Sequence, residues 1–357
     1  MKPSHTLLYC RPGFEKEGAT EIAHQAGSLG APGYVRTREG SGFVQFFPHD
    51  PEGIEVLSAS LSIQDLVFAR QVVLATDPLT NLPATDRLTP LLAAIQSLGH
   101  RFSACWLETA DTNEAKELSS FCRKFGAHLE KALVKSGLLV PGNARLPRLH
   151  LFFLDSGTAH LGVSWADRGS PWHMGIPRLR LPRAAPSRSA LKLGEAFLSL
   201  LSEAERNERL KGSMRAVDLG AAPGGWSWQL TQRSLLVTAV DNGPMNRELL
   251  AQGMVEHIRA DGFRYRHRKP VDWMVCDMVE QPARIAALVA DWVAEGRARD
   301  CIFNLKLPMK KRFDEIERCR DIVEHRLGRA KLGYRLRMRH LYHDREEITG
   351  YLGREQF

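Results

Sequence analysis

The chain has 357 residues, 43% of them hydrophobic and 25% charged, a globular composition with apolar content for two or three domains. Its formal net charge of +8 suits a polyanionic partner. Six cysteines (Cys10, Cys105, Cys122, Cys276, Cys301, Cys319) are scattered without a C-x-x-C pair, which argues against a disulfide framework or zinc site and predicts a reducing, cytoplasmic setting. The first residues form no charged-then-apolar leader, and no apolar run is long enough to cross a bilayer, so no membrane partner is expected.

In chain order, 6–10 predicts a strand, and 14–26 a helix with Ala19, Ile22, Ala23 and Ala26 on one face. Strands follow at 42–47 and 66–75, then a helix at 89–98 with Thr89 as N-cap and Pro90 in the first position. A strand at 102–106 precedes a long amphipathic helix, 116–136, closed by Gly137. Segments 150–154 and 159–164 predict a hairpin around Asp155-Ser156-Gly157. Pro171, Pro177, Pro182 and Pro186 then punctuate a basic stretch that resists helix, which sets the main boundary.

Beyond it the pattern predicts helix 187–202, strand 214–219, helix 225–232, and strands 235–241, 254–260 and 271–276. Helix 281–295, strand 300–306, helix 312–327 and two terminal strands, 333–340 and 347–352, complete it. Strands alternating with helices imply a mostly parallel, doubly wound sheet.

The most informative segment is Asp218-Leu219-Gly220-Ala221-Ala222-Pro223-Gly224-Gly225-Trp226. It joins a buried strand to a helix through glycines that let a ligand approach the backbone. It is neither G-x-G-x-x-G nor a P-loop, which disfavours a nicotinamide-dependent oxidoreductase. Asp241 ends the next strand, where an acid meets a ribose hydroxyl in doubly wound sheets, and Asp261 follows the strand after that. Both are read as cofactor contacts, Asp261 at the adenine edge, with a helix cap or turn former as the alternative role. Asp277 ends the fourth strand and points into the ligand crevice, whereas Cys276 faces away and reads as structural. Lys306 ends the fifth strand, where a buried lysine is costly unless paired or functional.

The strand–loop–helix unit resembles the S-adenosylmethionine (SAM) loop of the FtsJ-like RNA ribose methyltransferases, over roughly 187–352. That resemblance implies a catalytic set of Lys192, Asp277, Lys306 and Glu347 in that chain order, with the adjacent Glu346 an alternative fourth member. Methyl transfer to a 2′-hydroxyl is an in-line displacement that needs positioning and loss of the hydroxyl proton. Lys306 is the candidate base, although a free lysine titrates near about 10.4. Burial and Lys192 would lower that value while Asp277 and Glu347 would raise it; if the carboxylates win, Lys306 mainly orients the hydroxyl and stabilises developing charge. No metal is called for.

The segments 186–193, 240–245, 273–279, 303–312 and 341–347 are more narrowly similar to the RlmM family. Membership would imply 2′-O-methylation of one cytidine of bacterial 23S rRNA, with SAM as cofactor. It would also imply an α/β fold: a C-terminal Rossmann-like methyltransferase domain preceded by an α+β half of ferredoxin-like and THUMP modules. The expected divisions are 1–60 (ferredoxin-like), 61–168 (THUMP, RNA-binding), 169–186 (linker) and 187–357 (methyltransferase). By the same route Ser189, Gly220, Ala222, Pro223, Gly224, Gly225, Asp241, Asp261 and Asp277 are the expected cofactor contacts. Basic runs at 178–188, 264–269 and 310–312, with Arg335, Arg337 and Arg339 on one strand face, are expected at phosphates. A base-directed RNA methyltransferase and a non-catalytic rRNA-binding assembly protein remain alternatives, and oligomeric state is not legible.

Overall fold

The structure, a computed structural model, describes residues 1–355, and the chain divides into two compact units that meet between Ile176 and Pro177. In the first unit β1 (His5–Cys10), α1 (Glu15–Ser28), β2 (Gly33–Thr37), β3 (Phe43–Pro48), α2 (Gly53–Ser60) and β4 (Ala69–Ala75) follow one another. They form an antiparallel sheet ordered β2-β3-β1-β4. Leu8, Ile22, Val44, Phe46 and Leu57 are buried together in its core. This is the βαββαβ pattern of a ferredoxin-like module.

The expected cut after residue 60 is displaced. β4 pairs along its length with β1, so the module needs it and extends to Ala75.

The rest of the unit contains α3 (Leu88–Ser97), β5 (Ala104–Thr109), α4 (Leu118–Lys135), β6 (Arg148–Asp155) and β7 (Thr158–Ser164). β7 pairs with β4 at Leu74–Val163 and Ala75–Gly162, which makes all seven strands one continuous sheet. Thr89 is not the cap of α3. The helix begins at Leu88, and Asp86 accepts from the Thr89 amide at 3.0 Å. The first half of the expected linker is also anchored, because Ser170 exchanges hydrogen bonds with Gln71 and the Met174 amide donates to Glu108 at 2.5 Å.

The second unit runs α5 (Ala190–Leu200), α6 (Glu203–Arg209), β8 (Arg215–Leu219), α7 (Gly225–Thr231), β9 (Leu236–Val240), α8 (Arg247–Ala251) and β10 (Val255–Ile258). It continues through β11 (Val271–Cys276), α9 (Pro282–Ala294), β12 (Ala298–Lys306), α10 (Arg312–Arg329), β13 (Tyr334–Arg339) and β14 (Glu347–Arg354). Its seven strands are ordered β10-β9-β8-β11-β12-β14-β13. All neighbours up to β12 are parallel, while β14 inserts antiparallel between β12 and β13. The α/β, Rossmann-like class expected of this half is the observed one.

Near-continuous apolar strands such as β11, whose Trp273, Met274, Val275 and Cys276 are all fully buried, are what a sheet covered on both faces requires. The reversal of order beside β8 opens a crevice at the strands' carboxyl ends. No helix among the described residues is long and apolar enough to cross a membrane.

Candidate active site

Three adjacent strands deliver the crevice residues. β8 ends in the loop 220–224, while Asp241 follows β9 on one side and Asp277 follows β11 on the other. The loop needs its glycines. Gly220 and Gly224 have φ of +79° and +116°, values that side chains rarely adopt. A Cβ at Gly225 would strike the hydroxyls of Ser187 and Ser189, which bond each other at 2.6 Å just before α5. Pro223 follows a cis peptide bond.

Asp241 braces this loop, its Oδ2 accepting from the Ala222 amide at 3.0 Å and its Oδ1 from the Gly243 amide at 2.7 Å. Asp261 stands further out and is half exposed; its Oδ1 accepts from the Phe263 amide at 2.8 Å, the turn-former arrangement.

On the other side of β8, Lys192, Asp277, Lys306 and Glu347 converge. β12 and β14 pair in the register that sets Lys306 opposite Glu347. Lys306 Nζ donates to Asp277 Oδ1 at 3.2 Å and bonds Glu347. Lys192, from the first turn of α5, pairs with Glu347 and lies 3.9 Å from Asp277. The result is a ring of alternating charge. Glu347 side-chain exposure is only 6%, whereas that of Lys306 is 27%, the highest of the four.

Strand alternation separates the two candidate glutamates. Glu346 is exposed and binds Arg312 at 2.7 Å, while Glu347 faces the lysines.

The competition left open by the sequence has a direction. Burial alone would lower the Lys306 pKa, but Asp277 and Glu347 outweigh it and hold the value above that of an ordinary lysine. Burial likewise disfavours the Glu347 charge, yet Lys192 and Lys306 keep its pKa below the usual carboxylate value. Cys276 is fully buried with its thiol pushed up to about 12 by that burial, so it offers no nucleophile.

Several supporting residues escaped the sequence reading. Asp218, wholly buried in β8, accepts from Ser227 of α7 at 2.6 Å, and burial pushes its carboxyl up to about 7. Asn304 in β12 donates to Asp277 Oδ1 at 2.7 Å. Glu195, one turn after Lys192, accepts from the amides of Tyr342 and His343 at 2.7 and 2.9 Å and from His343 Nδ1 at 2.6 Å. It therefore ties the helix that carries Lys192 to the loop that leads to Glu347. The available signal was an acid at position 195 among the apolar residues Leu191, Leu193, Ala196 and Phe197.

The arginines of β13 are placed otherwise than expected. Arg335 and Arg337 both pair with Glu205 of α6, Arg337 at 2.8 Å, and Arg339 is buried. The shared face holds a helix rather than phosphate.

Family models match most of the chain. A model described as the RlmM ferredoxin-like domain matches residues 3–73, and one described as ribosomal RNA large subunit methyltransferase M, N-terminal, matches 86–165. A third, FtsJ-like methyltransferase, matches 185–308, a span that includes Lys192, Asp277 and Lys306 but stops short of Glu347. Proteins named ribosomal RNA large subunit methyltransferase M are similar along the full length. That of Methylococcus capsulatus is 55% identical over 98% of this chain and 98% of its own. That of Aromatoleum aromaticum is 54% identical over 99% of this chain and 95% of its own, and that of an Azoarcus species 52% over 98% and 96%. With likeness at this level across both units, the chain belongs to the ribosomal RNA large subunit methyltransferase M family.

Proposed function

We propose that the chain is a SAM-dependent rRNA methyltransferase that methylates the ribose 2′-hydroxyl of a cytidine in 23S rRNA. The observation that carries this reading is the alternating ring of Lys192, Asp277, Lys306 and Glu347 beside the glycine-rich loop that follows β8. SAM, when bound, supplies an electrophilic methyl group on a sulfonium.

The residues present fit that cofactor. Gly220, Gly224 and Gly225 let the loop pack against Met278, Leu249 and the Ser187 and Ser189 hydroxyls, where a Cβ would clash, and each oxygen of Asp241 keeps a lone pair for a hydroxyl. Gly220, Ala222, Pro223, Gly224 and Gly225 would line the amino-acid and ribose portions with Ser189, while Asp241 would take the diol. Asp261 would meet the adenine edge, and Asp277 the region of the transferred group.

The target ribose would enter over Lys306. In-line displacement demands that its oxygen be fixed, and a donor fork of two lysines held by two carboxylates is a rigid way to do that. Lys306 then receives the hydroxyl proton as general base, acting through its neutral fraction, because the ammonium form has no lone pair. Lys192 stays paired with Glu347 and stabilises the developing alkoxide.

Exposed Lys310 and Lys311, and the run Arg264, Arg266, Arg268 and Lys269, offer phosphate contacts on the same unit. Val279 and Met309 follow the two strand ends that bear Asp277 and Lys306, and are 85% and 92% exposed, apolar surface available to a base. We assign RNA recognition to the first unit, with 76–168 as the RNA-binding module beside the ferredoxin-like strands, and the cytoplasm as the site of action.

Lys306→Ala tests the reading. Methyl transfer to rRNA should fall by at least about a hundredfold, with SAM affinity by calorimetry nearly unchanged. Near-parental turnover would remove Lys306 from the mechanism.

A further inference from the structure

Behind the charged ring lies a buried polar chain that the proposed chemistry does not use. Asn304 and Thr349 are fully buried, and Asp344 is 1% exposed. Asn304 Nδ2 donates to Asp277 Oδ1 at 2.7 Å, the same oxygen that accepts from Lys306. Asn304 Oδ1 lies 2.7 Å from the Thr349 hydroxyl. That hydroxyl in turn lies 2.9 and 3.1 Å from the two oxygens of Asp344.

Three acceptors thus surround a hydroxyl that has one proton. The direction of the chain follows from its charged end. Asp277 sits between two lysines and accepts only, so the amide of Asn304 must turn its NH₂ toward Asp277 and its oxygen toward Thr349. A buried amide oxygen left without a donor is costly, so the Thr349 proton belongs to Asn304. The lone pairs of Thr349 then face Asp344, and an ionised carboxylate there would oppose them. A neutral carboxyl would donate instead.

We infer that Asn304 and Thr349 are positioning residues that hold Asp277 through a hydrogen-bond chain of fixed direction, begun by a neutral Asp344 carboxyl. The inference rests on the reading of Asp277 and Lys306 given under Proposed function. Two further observations agree with it. Asp344 is buried and has Glu347 and Glu195 as charged neighbours, and these push its carboxyl well above the ordinary range. Its Oδ2 also accepts from the Leu341 amide at 3.1 Å, which fixes the carboxyl plane.

The chain links the three strands that lead to or carry Asp277, Lys306 and Glu347: Asp277 after β11, Asn304 in β12, Thr349 in β14, and Asp344 in the turn before it. A displaced Asp277 would loosen Lys306 without removing any group that touches substrate.

The test uses the full-length protein and unmethylated 23S rRNA at saturating SAM, with SAM affinity by calorimetry and thermal midpoints run alongside. Thr349→Val, which removes the hydroxyl at constant volume, should lower kcat by roughly 10- to 100-fold with KM for RNA within about twofold. Thr349→Ser should restore turnover to within about threefold, because the hydroxyl and not the methyl is what the chain needs. Asp344→Asn, whose NH₂ can donate to Thr349 and whose oxygen can still accept from Leu341, should stay within about threefold of the parent, whereas Asp344→Ala should fall with Thr349→Val.

Full turnover in folded Thr349→Val, or equal loss in the Ser and Val variants, would overturn the chain. Equal loss in Asp344→Asn and Asp344→Ala would overturn the neutral carboxyl. Should Thr349→Val not fold, the parent-minus-Asp344→Asn infrared difference spectrum at pH 7 decides. A protonated-carboxyl stretch supports the proposal, and a carboxylate band in its place refutes it. Lys306→Ala, assayed in parallel, separates the two readings: if it remains active while Thr349→Val does not, the role of Lys306 fails and the chain stands.

Discussion

Lys306 rests as an ammonium because Asp277 and Glu347 outweigh its burial. If its neutral form is the base, kcat climbs close to tenfold per pH unit between about pH 7 and 9, since the neutral fraction does so below a raised pKa. A flat profile over that range would leave Lys306 as a positioning ammonium only. Glu347→Gln removes one of the two carboxylates and should move the same limb to lower pH, read from the pH dependence of kcat. The Asp218 carboxyl is raised as well, chiefly by burial. Its folded value of about 7 lies above the ordinary 3.8, so the stability it confers is complete below 3.8 and is lost as pH rises through 7. Asp218→Asn should therefore gain on the parent as pH rises, by on the order of 1–3 kcal/mol at pH 8 relative to pH 5, measured by urea unfolding at both values. A difference that does not change with pH would contradict this.

At the level of elements, β13 and α6 correct each other. Alternation put Arg335, Arg337 and Arg339 on one face, but the expected helix 187–202 ended before α6, so the acid that Arg335 and Arg337 meet was unseen. The signal was present: Ser202 caps α6 and Glu205 reaches back to the Ser202 amide at 2.8 Å, a capping box. Glu205 is partly buried, yet bonds from Arg337 and Ser202 hold its carboxyl down to about 2. Arg337→Glu should accordingly cost roughly 2 kcal/mol or more of stability, seen as a lower urea midpoint, rather than alter the salt dependence of RNA binding. An unchanged midpoint with a shallower salt slope would restore the phosphate role. Strand ends that bear chemistry were legible because period and polarity change together there, as at Val275-Cys276-Asp277 and Leu305-Lys306. The edge strand β2 and the short helices α2 and α8 were not, since five to eight residues carry little periodicity. Nor was the insertion of β14 between β12 and β13, a long-range pairing, and with it went the opposition of Lys306 and Glu347. Asn304 hid for a further reason: a lone polar residue in a buried strand shows no partner until the sheet is assembled.

Across the whole molecule, two units of similar size serve one proposed task, recognition in the first and methyl transfer in the second. The net charge of +8 makes salt the simplest probe of the first part. Affinity for rRNA should fall linearly on a log–log plot against salt, with a slope that reports the phosphates neutralised, and a flat line would argue against a polyanionic substrate. The chemistry is decided by the fate of the label. 23S rRNA that has not met an enzyme of this family is incubated with the protein and methyl-labelled SAM, then digested in alkali and sized. Alkaline cleavage requires a free 2′-hydroxyl, so a methylated ribose leaves its label in an uncut dinucleotide. Label in alkali-resistant dinucleotides is the predicted result; label in mononucleotides would mean that a base, not a ribose, is methylated, and would contradict the account.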